Sequence, residues 1–189
     1  MLIKKALNKA YDLHQWQHRK GSNFPYYVHI LDVARILMYE TDISEEIIVA
    51  GILHDTLEDS PYTPSNLKEE FGENIFRLVN FCTEPGNTND VADDEQIKSW
   101  KNRKIHSVDS LNSWKEDELL VFLADKLANL QSMKDDLVLM EDKLWEKFNA
   151  PYEDIKWYYT SILNNVKPNL EKRRIFKLFE KLVSEVFSN

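Results

Sequence analysis

Residues 50–61 read AGILHDTLEDSP, and they set four polar side chains directly after a strongly apolar helical stretch. An unpartnered charge in such surroundings costs several kcal/mol, so His54 and Asp55 need a partner there. Because residues four apart share a helix face, we expect Glu58 near His54 and Asp59 near Asp55. A divalent cation bound by His54 and Asp55 would offset this charge. Glu58 or Asp59 would then orient a water molecule. The alternative interpretation is a helix end that merely carries acids.

The composition of the chain indicates one all-α domain over residues 1–189. The chain has 189 residues, of which 43% are hydrophobic and 30% charged, enough for a sizeable core. Its four glycines and six prolines are few for this length, and no alternation of apolar and polar residues is long enough to predict a sheet. We therefore expect a helical bundle of roughly eight to ten helices.

Charge and cysteine content exclude several classes of protein. The net charge of −8 argues against a nucleic-acid-binding protein, which would need a basic face. The single cysteine, Cys82, excludes a disulfide framework or a cysteine-rich zinc site, and we expect it in the core. No signal peptide or apolar span of membrane length is present, so we expect a cytoplasmic protein without a membrane partner.

Apolar spacing and capping signals divide the chain into helical segments. The third helix is predicted from the Ser44 cap to just before Pro61, and the others over residues 2–18, 26–40, 64–71, 73–82, 96–111, 116–134, 144–149, 152–164 and 170–187. The polar, acidic segment Glu84–Asp94 is interpreted either as a mobile lid over a site or as a disordered loop without function.

Two further predicted helices carry buried polar residues. His29 lies among apolar residues of the second helix, where an isolated histidine is more often a satisfied core residue than a ligand. Asp125 follows the apolar run Leu119–Ala124. Its carboxylate charge would be buried there, so it needs a positive charge nearby, either from Lys126 or from a metal. Asn129 lies one turn further on, on the same helix face as Asp125.

Two basic segments could bind an anionic substrate. Arg19 and Lys20 precede a turn, and an arginine plane can both stack on a base and pair with phosphate. Basic residues that merely favour a helix C-terminus are the alternative. The second basic cluster is interpreted as a phosphate contact rather than a solvated face, and it consists of Lys98, Lys101, Arg103 and Lys104.

The order His29, His54-Asp55, Asp125 on separate helices resembles the HD superfamily of metal-dependent phosphohydrolases. Within it, the chain is more similar to the hydrolase domain of the RelA/SpoT proteins and their stand-alone small alarmone hydrolases. The matching segments are HRKGSNFPYYVH (18–29), AGILHDTLEDS (50–60), FG (71–72) and LADKLANL (123–130). The resemblance extends over essentially the whole chain, and segments 50–60 and 123–130 are its specific part.

This resemblance implies a metal centre, a substrate and their binding residues. The ligands of one manganese ion would be His29, His54, Asp55 and Asp125. Two imidazoles and two carboxylates also suit iron, cobalt or zinc. Glu58 and Asp59 match the catalytic acids, which would orient a water molecule and move its proton. The residues that would contact the substrate are Arg19, Lys20, Lys101, Arg103, Lys104, Lys126, Asn129 and Ser132. The reaction would remove the 3′-pyrophosphate from ppGpp or pppGpp without ATP.

Departures from the family pattern keep alternatives open. Gln131 and Ala128 stand where relatives often have a basic and a bulkier residue, which leaves the choice of nucleoside open. A second enzyme hypothesis is an HD-type phosphohydrolase that acts on another nucleotide or a 3′-phosphorylated dinucleotide. A third is a non-catalytic nucleotide-binding regulatory module, although a purely structural metal site would not require Glu58 and Asp59. The synthetase half of the long family members is missing, so we expect hydrolysis without synthesis, by a monomer or a homodimer.

Overall fold

The computed structural model describes residues 1–20, 22–83 and 93–188, and for residues 93–99 the helical backbone alone. Within these ranges the regular elements are all helical, and the one isolated bridge pairs His18 with Pro25. The α-helices there are α1 Leu2–His14, α2 Tyr27–Met38, α3 Glu45–Leu53, α4 Pro64–Phe71, α5 Glu73–Cys82, α6 Asp93–Ser110, α7 Glu116–Met140, α8 Tyr152–Leu170 and α9 Arg174–Val186. Short 3₁₀ helices follow α6 and α7, at Leu111–Ser113 and Glu141–Lys147. The predicted all-α fold class is confirmed. The segment Glu84–Asp94, interpreted from the sequence as a lid or a disordered loop, lies outside the described residues as far as residue 92.

The structure ends α3 earlier than predicted, at Leu53 instead of just before Pro61. Its beginning agrees with the prediction, because the Ser44 hydroxyl accepts a hydrogen bond from the Ile47 N–H. At its end, the Thr56 hydroxyl donates to the Leu53 carbonyl over 2.7 Å, and the Thr56 N–H donates to the same oxygen over 3.0 Å. Such side-chain bonds compete with the helical pattern. His54 and the acids after it therefore lie in a series of turns.

Helix α7 forms the centre of the molecule. It packs against α2, α3, α5, α8 and α9, and its residues Leu119–Ala124 are all buried. The buried apolar residues, from α1 to the end of α9, form one continuous cluster. No helix within the described ranges combines the length and the apolarity needed to cross a bilayer.

Helices α2, α3 and α7 bring the predicted metal ligands together. Helix α3 is buried on all sides from Ile48 to Leu53, as expected for a helix that is apolar all round. Gly51 allows α2 to approach closely, because a Cβ atom there would overlap the Leu37 side chain. The end of α3 is thereby held between α2 and α7.

Candidate metal centre and its flanking cavities

The four predicted metal ligands converge from three helices. His29 lies at the start of α2, His54 and Asp55 follow α3, and Asp125 lies in the middle of α7. The His29 Nε2 atom is 3.1 Å from Asp125 Oδ1, and the His54 Nε2 atom is 2.9 Å from Asp55 Oδ2 and 3.7 Å from Asp125 Oδ1. The ligand atoms of His29, His54 and Asp55 all lie within 4.8 Å of one another, so one ion could contact all of them.

The donor set fits a divalent transition-metal ion. Both histidine Nε2 atoms are buried, and although the Asp125 and Asp55 oxygens lie 3.1 and 2.9 Å away, their geometry is not that of a hydrogen bond. The other ring nitrogen of His54, Nδ1, lies 2.9 Å from the Gly51 carbonyl oxygen. An Nδ1–H donated to this carbonyl leaves the Nε2 lone pair for a metal, which is a usual arrangement at histidine ligands. The site is thus a candidate metal centre with nitrogen and oxygen donors.

Burial and charge set the ionisation states of these ligands. Burial alone would lower the pKa of His54, but the carboxylates of Asp55 and Asp125 outweigh it and raise the pKa to about 9. Burial would raise the pKa of Asp55, yet the His54 imidazole holds it at about 2. The pKa of Asp125 lies well below its ordinary value, because Lys126 and the two histidines outweigh burial. Burial lowers the pKa of His29. Both carboxylates are therefore anionic at neutral pH, as metal ligation requires, whereas an ion that binds His54 must displace its proton.

Each carboxylate ligand accepts hydrogen bonds from neighbouring side chains. Asp125 accepts from the Asn129 amide over 2.7 Å and from the Lys126 ammonium over 2.5 Å. Asp55 accepts from the Tyr26 hydroxyl. Burial, and then the Asp55 charge, raise the pKa of Tyr26, so this phenol stays protonated and acts as the donor. These bonds orient the carboxylates toward the histidines.

A large cleft lies on one side of the ligand cluster. Its volume is about 710 Å³, within the range of small-molecule sites. His29 and Asp59 line it together with the predicted substrate residues Arg19, Lys20, Asn129 and Ser132. The Arg19 guanidinium donates to the Asn129 amide oxygen over 3.2 Å, and the Lys20 ammonium donates to Asn149 over 2.8 Å. Phe24, Leu139 and Phe148 add apolar and aromatic surface that could contact a base.

A smaller cavity of about 190 Å³ lies against the other ligands. His54, Asp55 and Asp125 contribute to its wall, and so does Glu58. The remaining polar wall is basic, since it contains Arg103, Lys104 and Lys126. The charged residues that line it are three acids and three bases, so a divalent cation would make this cavity net positive. Such a cavity suits an anion.

The structure separates some residues that the sequence placed together. Because α3 ends at Leu53, Glu58 and Asp59 do not share a helix face with the ligands: Glu58 lines the small cavity and Asp59 the large cleft. Lys101 lines neither cavity, and its ammonium lies 2.5 Å from the Asp154 carboxylate. Cys82, expected in the core, is half-buried and lines the small cavity. Burial raises the pKa of its thiol, so the sulfur is protonated at neutral pH.

Sequence reasoning missed two residues of the α1–α2 connection (residues 15–26), Gln17 and Tyr26. The Gln17 amide donates to the Asp59 carbonyl over 2.5 Å, and its oxygen lies 2.6 Å from the His14 Nδ1 atom. Tyr26 reaches Asp55, as described above. The position of Tyr26 one helical turn before His29 is the signal that could have placed it near the metal. Nothing in the sequence pairs Gln17 with Asp59, which is 42 positions away.

Comparisons with known proteins place this geometry in a family. The HD domain family profile matches residues 6–147, a range that includes all four candidate ligands. The guanosine-3′,5′-bis(diphosphate) 3′-pyrophosphohydrolase MESH1 of Xenopus tropicalis is 33% identical over 135 residues, which are 70% of this chain and 70% of that one. The mouse (Mus musculus) MESH1 is 34% identical over 130 residues, which are 68% of this chain and 67% of that one.

Two solved structures have the same fold. The 1.85 Å crystal structure of lmo0812 from Listeria monocytogenes EGD-e matches with a TM-score of 0.73 and 32% identity, over 85% of this chain and 99% of that chain. A metazoan ortholog of SpoT, described as hydrolysing ppGpp, matches with a TM-score of 0.73 and 23% identity, over 97% of this chain and 94% of that chain. The resemblance seen in the sequence is therefore confirmed, and the chain belongs to the HD domain family.

Proposed function

We propose that the chain hydrolyses the guanosine alarmones ppGpp and pppGpp, removes their 3′-pyrophosphate, and uses manganese as its metal ion. The observation that carries this proposal is the position of the candidate ligands between a nucleoside-sized cleft and a small basic cavity. The 3′-pyrophosphohydrolase relatives, at 33% and 34% identity, support the choice of substrate. We also propose that residues 1–189 form one catalytic domain of the HD type.

The proposed ligands are His29, His54, Asp55 and Asp125. When bound, a divalent ion supplies positive charge to phosphate oxygens and lowers the pKa of a coordinated water. Manganese is proposed because two imidazoles and two carboxylates offer the mixed nitrogen and oxygen donors that it accepts. Iron, cobalt and zinc suit the same donors, and hydrolysis measured with each ion in turn tests the choice of manganese.

The two cavities suggest how the substrate lies. The guanosine is proposed to occupy the large cleft, where the Arg19 plane and Phe148 can contact the base and Ser132 can contact the sugar. The 3′-pyrophosphate is proposed to enter the small cavity, where Arg103 and Lys104 can pair with its oxygens. The bond that breaks, between the 3′ oxygen and phosphorus, would then lie at the ligand cluster.

The two acids have different tasks in this arrangement. Glu58 lines the phosphate cavity, so we assign it the proton of the attacking water. As the water oxygen bonds to phosphorus, the bond to the 3′ oxygen breaks and that oxygen needs a proton. Asp59 lines the cleft on the nucleoside side, and burial raises its pKa, so we assign its protonated form the donation of a proton to the 3′ oxygen. After each turnover Glu58 releases its proton to water and Asp59 takes one up. The Gln17 amide holds the turn that carries Asp59.

The test compares pyrophosphate release from ppGpp with phosphate release from a panel of other nucleotides, with and without Mn²⁺. We expect Mn²⁺-dependent release of pyrophosphate from ppGpp, and a Glu58→Gln variant that binds the ion but turns over about 10²- to 10⁴-fold more slowly. Glu69→Gln, a change on the outer face of α4, is the matched control and should keep full turnover.

Two outcomes would overturn parts of the proposal. Faster hydrolysis of another nucleotide or of a 3′-phosphorylated dinucleotide would mean that this compound, and not ppGpp, is the substrate. Full turnover by the metal-bound Glu58→Gln variant would remove Glu58 from the mechanism.

A further inference from the structure

We propose that Tyr26 is a positioning residue of the metal centre, and that its hydroxyl holds the Asp55 carboxylate in the orientation that binds the ion. This inference rests on the metal site of the proposed function. It does not depend on which nucleotide the chain hydrolyses.

The Asp55 carboxylate needs a fixed donor because of its place in the chain. It lies two residues beyond the end of α3 and belongs to the turns that begin at His54. Its side chain is 23% exposed, whereas that of Asp125 is 12% exposed and that of His54 is 2% exposed. Asp125 has two donors on its own helix, Lys126 and Asn129. The donor to Asp55 comes from a different element, the α1–α2 connection.

The hydrogen bond reaches the oxygen that faces the histidines. The Tyr26 hydroxyl donates to Asp55 Oδ2, and this same oxygen lies 2.9 Å from the His54 Nε2 atom. A carboxylate oxygen has two lone pairs. One can accept the phenol proton while the other points to the ion, so the phenol selects one rotation of the carboxylate.

Tyr26 is itself held firmly. Its N–H donates to the Gln17 carbonyl over 2.9 Å, and its carbonyl accepts from the His29 N–H over 2.9 Å. The centroid of its ring is 5.3 Å from that of His14 and 5.3 Å from that of His29. His29 continues the series to His54, again at 5.3 Å. A ring fixed by its neighbours can fix a carboxylate, since its hydroxyl cannot move away.

Tyr26 also lines the large cleft, which gives a competing role. A tyrosine that only contacts the nucleoside would change the KM for the substrate and leave the affinity for metal alone unchanged. A tyrosine that orients Asp55 changes the affinity for metal in the absence of any nucleotide. Metal binding without nucleotide therefore separates the two roles.

The experiment compares Tyr26→Phe with Tyr27→Phe. Phenylalanine keeps the ring and removes only the oxygen. Tyr27 is the matched control because its hydroxyl donates to the Leu7 carbonyl over 3.3 Å, away from both cavities. Titration of each protein with Mn²⁺ alone, by calorimetry, should give an affinity about 10- to 100-fold weaker for Tyr26→Phe and unchanged for Tyr27→Phe. The absorption spectrum of the Co²⁺-loaded protein, which reports ligand geometry, should change in Tyr26→Phe only.

Circular dichroism and Tm measurements show whether each variant is folded at the temperature of the titration. As a second route, the effect of Tyr26→Phe on the Co²⁺ affinity is measured in an Asp55→Ala background. We expect no further loss there, because the hydroxyl acts through Asp55. Equal affinity of Tyr26→Phe and the unmodified chain would overturn the inference. An unmodified chain that binds no Mn²⁺ and no Co²⁺ would instead overturn the metal site of the proposed function.

Discussion

Lys101 and Lys104 are one helical turn apart on α6, but their surroundings differ. The Lys101 ammonium pairs with the Asp154 carboxylate over 2.5 Å and lies 5.9 Å from the Trp157 ring centre. Lys104 lines the small basic cavity, where its ammonium is 5.0 Å from the Tyr158 ring centre. The sequence predicts a substrate contact for both. The structure brings only Lys104 of this pair to the cavity wall.

We therefore expect Lys104→Ala and Lys101→Ala to have different effects on the proposed hydrolysis. A charged hydrogen bond to phosphate contributes about 1.5–3 kcal/mol, so Lys104→Ala should raise the KM for ppGpp by about tenfold or more. Lys101→Ala removes an exposed ion pair and should change the KM by no more than about twofold. Steady-state kinetics at saturating Mn²⁺ measure both values. Equal increases in KM would mean that Lys101 also reaches the phosphates.

At the residue scale, the sequence predicts which side chains form the candidate metal site better than it predicts where the neighbouring residues lie. The polar residues His29, His54, Asp55 and Asp125 are conspicuous because each interrupts or closely follows an apolar stretch, and they do converge. The separation of the two acids into two cavities could not be anticipated, because it depends on the Thr56 hydroxyl capturing the Leu53 carbonyl. Contacts such as Gln17 to Asp59 also follow from the packed fold rather than from local spacing.

At the scale of a single element, the Ser44 cap is expected to stabilise α3, the helix that positions His54. Ser44→Ala removes the acceptor for the Ile47 N–H and should lower the free energy of unfolding by about 1 kcal/mol. For a chain of this size that loss corresponds to a fall in Tm of about 2–4 °C, measurable by calorimetry. Ser188→Ala, at the exposed C-terminal end, is the control and should leave the Tm unchanged. A Tm equal to that of the control would contradict the role of the cap.

Helix bounds were predictable where local capping decides them. Helix α4 has the predicted bounds because Thr63 accepts from the Asn66 N–H over 3.2 Å at its start, and Gly72, with φ 89°, ends it. Helix α8 runs past its predicted end at Asn164 to Leu170, with Pro168 inside it. Packing of Val166 and Leu170 in the core extends this helix despite the proline. Burial of these side chains in the core thus outweighs the tendency of Pro168 to end the helix.

At the scale of the whole molecule, a metal ion would join α2, α3 and α7 at the centre of the fold. An ion that binds the folded chain alone stabilises it by about 2.7 kcal/mol at a concentration of 100 times its Kd. We expect Mn²⁺ to raise the Tm and a chelator to lower it again. The rise should disappear in His54→Ala and persist in His106→Ala, which changes an exposed histidine on α6. A rise in Tm that persists in His54→Ala would place the ion elsewhere.

The walls of the two cavities belong to different parts of the chain. The large cleft is walled by the α1–α2 connection, by the second half of α7 and by the 3₁₀ helix after it, whereas the basic wall of the small cavity comes mainly from α6 and from Lys126. If the substrate lies as proposed, the first set of segments would determine base preference and the second set would hold the leaving pyrophosphate. Substitutions on one side of the ligand cluster can thus change what is bound there without touching the other side, because no described residue lines both cavities.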